Sequence, residues 1–503
     1  MTQTKPAAGA PSAPDAPPQD GLKRNAIGTF GIAFLVISAA APLTVMAGVA
    51  PVAIDRGGIG APVGYLAAGI VLALFAIGFM AMTRHAKAAG GFYTYITIAL
   101  GKTVGLAAAI LAVVSYNCLQ IGVYGLFAVQ TQAMLHVVFG LDVPWPVVAF
   151  AAVAAVWFLG YRGIDVGAKV LAVLLTAETA ILAVMGVGIL AHGGASGITA
   201  GSFAPSAMFS PGVLAILGIC FAAFMGFEST VLYRREAKNP DHAVPRATFI
   251  AVGFMSVFYA FIVWTVVQAY GDAGAVAAAD SQQQGMFFAT IAQYVGPWAE
   301  IAMYILIVTS VYASQLAFHN AINRYVYMLA QDGVLPAFFG HTHRKHKSPH
   351  RAGQVQTLLA AAVIGLCAAL GADPYQQLLI WVNTPGIFGI VGLQGLVAVA
   401  ALVYFRRHPE AIRNRLTVPL TAASAVLLFA AVVLIGVNIE LLTFADAVTN
   451  GILMAIAPAV FALGLLLARW LRRTRPSAYS RIGSTEAAEA ESAEAESAAA
   501  HDA

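Results

Sequence analysis

Two acidic side chains stand inside long apolar stretches of the 503-residue sequence. They are Glu178 and Glu228, and no lysine or arginine lies as deep in such a stretch. A charged group at the centre of a bilayer costs about 2.5–3.5 kcal/mol on insertion scales, and such groups commonly mark proton or cation pathways. We therefore predict that both carboxylates take part in proton coupling. The alternative is a protonated glutamate bonded to a neighbouring carbonyl for structure alone.

Two apolar stretches also contain residues that interrupt a helix. The first, Ser38 to Thr44, includes Pro42, which lacks a backbone donor and clashes with the preceding turn. The second, Phe221 to Glu228, includes Gly226, which permits unwinding. Freed amides at a half-helix N-terminus suit a carboxylate and freed carbonyls suit an ammonium group, so the pair of breaks predicts an amino acid site. The alternative is a proline kink and a packing glycine.

The elements that must hold these residues are membrane-spanning helices. Apolar residues make up 60% of the chain and charged residues 10%, whereas soluble proteins average about 45–50% and about 25%. A soluble globular protein is therefore excluded. A span needs about 20 apolar residues. The sequence supplies twelve such runs, at residues 27–50, 62–82, 104–134, 145–161, 167–191, 211–233, 246–270, 297–329, 354–371, 376–404, 416–437 and 448–470.

Lysine and arginine are distributed unevenly between the loops. If both termini lie on one side of twelve spans, all 27 lysines and arginines except Arg56 fall on that side. The positive-inside rule then predicts a multi-pass protein of the inner (cytoplasmic) membrane with both termini in the cytoplasm. Residues 1–22 and the acidic, low-complexity residues 476–503 are expected to be disordered cytoplasmic tails.

Four stretches make the chain resemble the amino acid–polyamine–organocation (APC) superfamily of permeases over about residues 25–470. They are the break at Ser38–Thr44; Ala89-Gly90-Gly91-Phe92-Tyr93-Thr94-Tyr95; Gly226-Phe227-Glu228 with Glu236-Ala237-Lys238-Asn239-Pro240 and Val244-Pro245-Arg246-Ala247; and Asn323-Arg324-Tyr325 with Gln331-Asp332-Gly333-Val334-Leu335-Pro336. The resemblance implies an all-α integral membrane protein with twelve transmembrane helices and alternating access. Its transporter domain, residues 23–475, would hold a LeuT-type 5+5 inverted repeat at about 25–192 and 210–405, with two further helices at about 416–470.

The same resemblance implies a set of substrate-binding residues on four helices. The substrate carboxylate is expected at the helix 1 break, formed here by Ala40, Ala41 and Pro42. The amino group is expected at the helix 6 break, formed by Phe221, Ala222, Ala223, Phe224 and Gly226. The side-chain pocket on helices 3 and 8 is expected to include Tyr116, Gln120, Ser314 and Phe318.

Two positions depart from the pattern of many relatives. Glu178 falls where some proton-coupled relatives carry a lysine that stands in for a sodium ion, so the sign of the charge is opposite here. The Ala40-Ala41-Pro42 break replaces a Gly-Ser-Gly-like break and resembles the putrescine-importer branch, which also has a proline there.

We expect a proton-coupled secondary transporter that imports an amino acid, with no catalytic residue, cofactor, metal site or nucleic-acid partner. Its partners would be an amino acid or amine, protons or Na⁺, and the lipid bilayer. A polyamine importer and an amino acid exchanger are the alternatives, although helix 3 offers Ser115-Tyr116-Asn117 and no acid for a dication. An enzyme built around His319, or a sensor, is the alternative from another class. The histidine-rich loop at 341–350 is expected to be a solvated basic loop.

Overall fold

The structure is a computed structural model that describes residues 27–86, 91–162, 168–234, 236–343 and 348–483. Within these ranges the named elements are all helical, apart from an isolated bridge between Ile27 and Ala237. The α-helices are α1 (Thr29–Ala40), α2 (Pro42–Gly57), α3 (Ala61–Ala86), α4 (Phe92–Leu100), α5 (Lys102–Phe139), α6 (Trp145–Arg162), α7 (Ala168–Ala191), α8 (Pro205–Met208), α9 (Pro211–Ala215), α10 (Leu217–Ala222), α11 (Pro240–Gln282), α12 (Met286–Tyr294), α13 (Pro297–Gln331), α14 (His350–Ala369), α15 (Val382–Arg407), α16 (Thr417–Val437), α17 (Ile439–Thr443), α18 (Ala447–Thr474) and α19 (Pro476–Arg481). Short 3₁₀ helices occupy Gly58–Gly60, Gly201–Phe203, Phe227–Tyr233, Gln283–Gly285, Ala337–Gly340 and Pro409–Ala411, and a π-helix spans Pro374–Trp381.

Many of these helices are long and apolar enough to cross a membrane. Ten segments of the described chain meet that condition, or eleven if the pair Pro205–Ala215 and Leu217–Val231, bent by 77°, is one span. The fold is therefore an all-helical membrane architecture, as predicted. One of the ten segments, Thr29–Ala86, is 58 residues long and covers the second predicted span and all but two residues of the first. The number twelve and the inverted repeat stay predictions.

The interruption predicted in helix 1 is present as a one-residue break. Helix α1 ends at Ala40 and α2 begins at Pro42, and Ala41 between them has φ 50° and ψ 76°. This left-handed conformation is uncommon for a residue with a Cβ. The Ala41 N–H closes α1 on the carbonyls of Ile37 and Ser38, at 3.1 and 3.2 Å. Pro42 then starts α2 at a position where its missing N–H costs nothing.

The interruption predicted in helix 6 is longer. Helix α10 ends at Ala222, and the chain continues through a turn to Gly226, which has φ 108°. Such a φ favours glycine because it has no Cβ. From Phe227 to Tyr233 the chain forms a 3₁₀ helix rather than resuming an α-helix. The sequence therefore located both breaks correctly.

The helices around the two breaks form the centre of the protein. Helix α5 packs against α13, α15 and α18, and α11 packs against α3 and α2. Helix α7 contacts α1, α11 and α13. Residues of α1, α2, α5, α10 and α13 line one interior cavity, around which most of the predicted site residues lie.

The C-terminal part of the chain contains one element that we did not expect. Helix α19 occupies the first residues of the segment assigned to the acidic tail. The Tyr479 and Thr103 hydroxyls are 2.8 Å apart, and the Gly483 N–H donates to the Asp332 carboxylate at 3.0 Å. This segment therefore packs on the membrane domain. Residues 484–503 and the predicted tail at 1–22 lie outside the described residues.

Candidate functional site

The two helix breaks contact each other in the interior. A Cβ placed on Gly226 would lie 3.5 Å from the Cβ of Ala39 and 3.7 Å from the backbone nitrogen of Ala40. Because Gly226 has no side chain and Ala39 and Ala40 have only a methyl group, the two backbones can approach this closely. The contact brings the end of α1 against the irregular segment that follows α10.

Glu178 of α7 lies at the N-terminus of α2. Its carboxylate accepts a 2.8 Å hydrogen bond from the Ser310 hydroxyl of α13 and another from the Leu43 N–H of α2. The Thr44 hydroxyl lies 2.9 Å from the Ser310 oxygen, so it is the donor in a chain from Thr44 through Ser310 to Glu178. Glu178 is 4% exposed and Ser310 is fully buried.

This arrangement places a protein carboxylate where a helix N-terminus attracts an anion. The first amides of a helix have no partner within the helix, and the helix dipole adds a partial positive charge there. Glu178 satisfies one of these amides, that of Leu43. Its carboxyl group therefore links α2, α7 and α13, three helices that are far apart in the sequence.

Glu228 lies beside the helix 6 break and is held from two directions. The Tyr116 hydroxyl of α5 donates to one carboxylate oxygen. The Gly226 N–H donates to the other at 3.0 Å. Tyr116 also lies near Phe318 of α13, with ring centroids 6.2 Å apart. These bonds fix the carboxylate of Glu228 against the broken segment.

Glu228 lines a cavity of about 330 Å³, which we call the carboxylate cavity. Its wall combines apolar residues with several polar and charged side chains. These are Ser38, Tyr116, Glu228, Ser229, Tyr233, Glu236, Asn320, Arg324 and Tyr325. The cavity therefore offers a mixed, polar environment on one side of the two breaks.

A second cavity of about 110 Å³ lies beside the same breaks, and we call it the apolar cavity. Its wall consists mostly of aliphatic side chains from α1, α2, α5, α10, α15, α17 and the π-helix, together with Met225 and Phe318. Thr44, Ser314 and Asn383 are its polar members. None of its lining residues carries a charge. Ala39, Met225 and Phe318 line both cavities, so they form the partition between them.

The family of the chain follows from comparison with known proteins. The family model described as amino acid permease matches residues 27–464. The chain belongs to the amino acid permease family. This result confirms the predicted membership of the APC superfamily and the class of membrane transporters.

Three curated relatives are each about a quarter identical to this permease over part of their length. The low-affinity putrescine importer PlaP of Escherichia coli is 26% identical over 302 residues, which cover 57% of this chain and 63% of the importer. An uncharacterized amino acid permease of Bacillus subtilis is 25% identical over 309 residues, covering 59% of this chain and 66% of that protein. An uncharacterized transporter of Mycobacterium tuberculosis is 25% identical over 343 residues, covering 66% of this chain and 72% of the transporter.

The residues predicted to bind substrate in this permease separate into three groups, of which Gln120 alone forms the third. Seven of them line a cavity: Ala40, Ala222, Ala223 and Ser314 line the apolar cavity, Tyr116 and Gly226 line the carboxylate cavity beside Glu228, and Phe318 lines both. Ala41, Pro42, Phe221 and Phe224 lie at the breaks but line neither cavity. Phe224 instead packs on Tyr259, with ring centroids 5.9 Å apart. The roles of all these residues stay predictions.

Gln120 of the permease lies in a separate polar layer between helices. The side-chain amide of Gln120 donates to the backbone carbonyl of Gln315 at 3.3 Å, and the side-chain amide of Gln315 donates to the backbone carbonyl of Gln120 at 3.1 Å. The side-chain oxygen of Gln120 accepts a hydrogen bond from Gln356. His319 lies one turn beyond Gln315 on α13 and is 2% exposed. A Cβ on Gly160 would be 2.6 Å from the His319 ring, so α6 packs closely against it. The layer joins α5, α6, α13 and α14.

Sequence reasoning missed the contribution of the tenth predicted span to the site. Leu379, Ile380, Asn383 and Ile387 all line the apolar cavity. With its amide nitrogen turned toward α5, Asn383 donates to the carbonyls of Cys118 and Leu119, at 3.1 and 3.0 Å. The π-helical turn Pro374–Trp381 directly before Asn383 is a feature often found at functional sites, but nothing in the local sequence indicates it.

Proposed function

We propose that this permease is a secondary active transporter that imports an amino acid by proton symport with alternating access. The observation that carries the proposal is the contact between the two helix breaks, with one buried carboxylate on each side of it. Transporters of this general design bind substrate where two half-helices meet near the bilayer midplane. The fold proposed is that of twelve spans with an inverted repeat, in the cytoplasmic membrane with both termini inside.

Glu178 is the proposed proton carrier. When ionised, it holds the Leu43 amide and the Ser310 hydroxyl through charge-assisted hydrogen bonds, which are about twice as strong as neutral ones. A proton on the carboxylate weakens both bonds at once. The hydrogen bonds that connect α7 to the start of α2 and to α13 are then weaker. Helix α2 is the half-helix that borders the proposed substrate site. Proton binding and the movement of the helix break are thereby linked.

The proposed substrate is an amino acid with a neutral, apolar side chain. The apolar cavity would take the side chain, because its wall is mostly apolar and carries no charge. The amino group would lie toward Glu228 at the helix 6 break, where a carboxylate lines the adjoining cavity. The substrate carboxylate would lie at Ala40 to Pro42, as the resemblance implies.

A putrescine-like diamine is the second candidate substrate. It is favoured by Glu228, which offers a carboxylate to one ammonium group in the carboxylate cavity, and by the relative named as a putrescine importer. The uncharged wall of the apolar cavity opposes it, because a second ammonium group buried there would have no partner. Exchange of two amino acids is the remaining alternative to symport.

Uptake by the purified permease in liposomes tests the proposal. We expect a labelled apolar amino acid to accumulate when an inward proton gradient is imposed, and an uncoupler to abolish accumulation. Putrescine uptake without amino acid uptake would indicate that the protein is a polyamine importer instead. Amino acid uptake that requires an internal amino acid and ignores the gradient would establish an exchanger.

A further inference from the structure

Two histidines and a glutamate from separate parts of the chain meet at one end of the helices. His85 lies in the last turn of α3, His408 follows the end of α15, and Glu410 lies in the 3₁₀ helix after it. One ligand atom of each residue lies within 4.8 Å of those of the other two. More than 300 residues of chain separate His85 from the other two. The group is therefore a product of the tertiary fold.

Two distances in this group are close to those between ligands of one metal ion. His85 Nε2 is 3.4 Å from Glu410 Oε1, and His408 Nδ1 is 3.0 Å from the same oxygen. Two ligands about 2.0–2.1 Å from a zinc ion in tetrahedral geometry lie roughly 3.3 Å apart. Both pairs are thus close to the spacing that coordination requires.

Tyr404 of α15 fixes the orientation of the His85 ring. Its hydroxyl lies 2.6 Å from His85 Nδ1, on the ring edge opposite the nitrogen that faces Glu410. A ligating histidine usually has its second nitrogen hydrogen-bonded in this way, which sets its tautomer. Tyr404 also packs on the His408 ring, with centroids 4.5 Å apart. One tyrosine therefore positions both imidazoles.

The chemistry of the group selects the kind of ion. Ca²⁺ and Mg²⁺ prefer several oxygen ligands, and this group offers one carboxylate. Two imidazole nitrogens and a carboxylate oxygen are ligands typical of Zn²⁺. A water-accessible cavity of about 600 Å³ adjoins His85 and Glu410. Arg84, Arg413 and Asp241 line it as well, so direct coordination rather than net negative charge must hold the ion.

We propose that His85, His408 and Glu410 bind one divalent transition metal ion of the Zn²⁺ class, with a fourth position open to water. The ion ties the end of α3 to the connection between α15 and α16. This site is separate from both cavities at the helix breaks, and it differs from the sequence-based expectation of no metal site. It does not depend on the identity of the transported substrate.

Cobalt absorption in the full-length, metal-free permease tests the site, because Co²⁺ replaces Zn²⁺ and is visible. We expect a d–d absorption band that saturates at one Co²⁺ per chain and is lost on adding Zn²⁺. Glu410→Gln and His408→Gln should abolish the band, and Tyr404→Phe should weaken Co²⁺ binding roughly 10- to 100-fold. His136→Gln is the matched control, because His136 forms an exposed pair with Asp142 elsewhere.

Two results would overturn the proposal. One is the absence of a saturable band in the unchanged protein. The other is a band of the same intensity and affinity in Glu410→Gln and His408→Gln. Glu410 is 60% exposed, so its substitution leaves the packed interior intact, and thermal unfolding of each variant verifies that the fold is retained.

Discussion

The Ser310 hydroxyl donates a 2.8 Å hydrogen bond to the Glu178 carboxylate, across 132 positions of the chain. The bond connects α13 to α7, and Leu43 at the start of α2 donates to the same carboxylate. Protonation of this one buried side chain would therefore act on three helices that surround the helix 1 break. This relation is the physical basis of the coupling that we propose.

Replacing Glu178 with glutamine tests that coupling. Glutamine keeps the shape and an acceptor oxygen but carries no exchangeable charge. We expect Glu178→Gln to abolish accumulation driven by a proton gradient and to retain part of the exchange measured by counterflow. Glu440→Gln, at an exposed position in α17, should change neither. Full gradient-driven accumulation by Glu178→Gln would refute the coupling role.

Replacing Tyr116 with phenylalanine tests the role of Glu228 in binding the substrate amine. The change removes the hydroxyl that donates to Glu228 and leaves the Gly226 N–H in place. A hydrogen bond to a charged group contributes about 1.5–3 kcal/mol. Because Tyr116 holds Glu228 in place for the amine, we expect substrate affinity to fall, by at most roughly the factor that this energy allows. Equilibrium binding of labelled substrate measures this. Tyr327→Phe on α13 is the control, and equal affinities of the two variants would contradict the prediction.

The close packing of α6 on His319 predicts a specific loss of stability. A methyl group at Gly160 would lie 2.6 Å from the buried His319 ring. Overpacking of this kind costs typically about 1–3 kcal/mol. We therefore expect Gly160→Ala to lower the thermal unfolding temperature in detergent. Gly392→Ala in α15 is the matched helical control because no heavy atom lies within 4 Å of its Cβ position. The idea fails if both variants unfold at the same temperature.

The hydrogen bonds of Asp446 at the start of α18 predict that the stability of the protein depends on pH. Its carboxylate accepts hydrogen bonds from the Thr449 hydroxyl at 2.7 Å and from the Val448 and Thr449 amides. These bonds lower the pKa of Asp446 below its ordinary value. A carboxylate whose pKa is lower in the folded than in the unfolded protein stabilises the fold at pH values above its unfolded pKa of about 3.9. This stabilisation is lost as the pH falls through the pKa of the folded state.

We therefore expect Asp446→Ala to lower the unfolding temperature at pH 7 and to differ less from the unchanged protein as the pH falls below about 4. Asp446→Asn, which keeps an acceptor, should lose less at pH 7. Thermal unfolding across this pH range measures both variants. A deficit of Asp446→Ala that is constant across the range would contradict the prediction.

The sequence predicted the helices and their breaks well because the signals are local. The run at 416–437 became α16 (Thr417–Val437), and Pro42 and Gly226 mark the interruptions that the structure contains. Apolar run length and backbone chemistry decide such features within a few residues. The family membership followed from short motifs in the right order.

The partners of the key residues were not predictable in the same way. Nothing near Glu178 in the sequence indicates Ser310, and nothing near His85 indicates His408 or Glu410. Asn383 and its neighbours line the apolar cavity only because the tenth predicted span packs on α5. These relations depend on how distant helices pack, which a single sequence without an alignment does not reveal.

The most direct measurement of the central claim is proton movement driven by the substrate alone. The permease would be reconstituted in liposomes that contain a pH-sensitive dye, with equal pH on both sides and the membrane potential clamped. The account predicts that adding an apolar amino acid outside acidifies the interior, and that Glu178→Gln abolishes the acidification while counterflow persists. Entry of the amino acid with no change in internal pH would contradict proton symport.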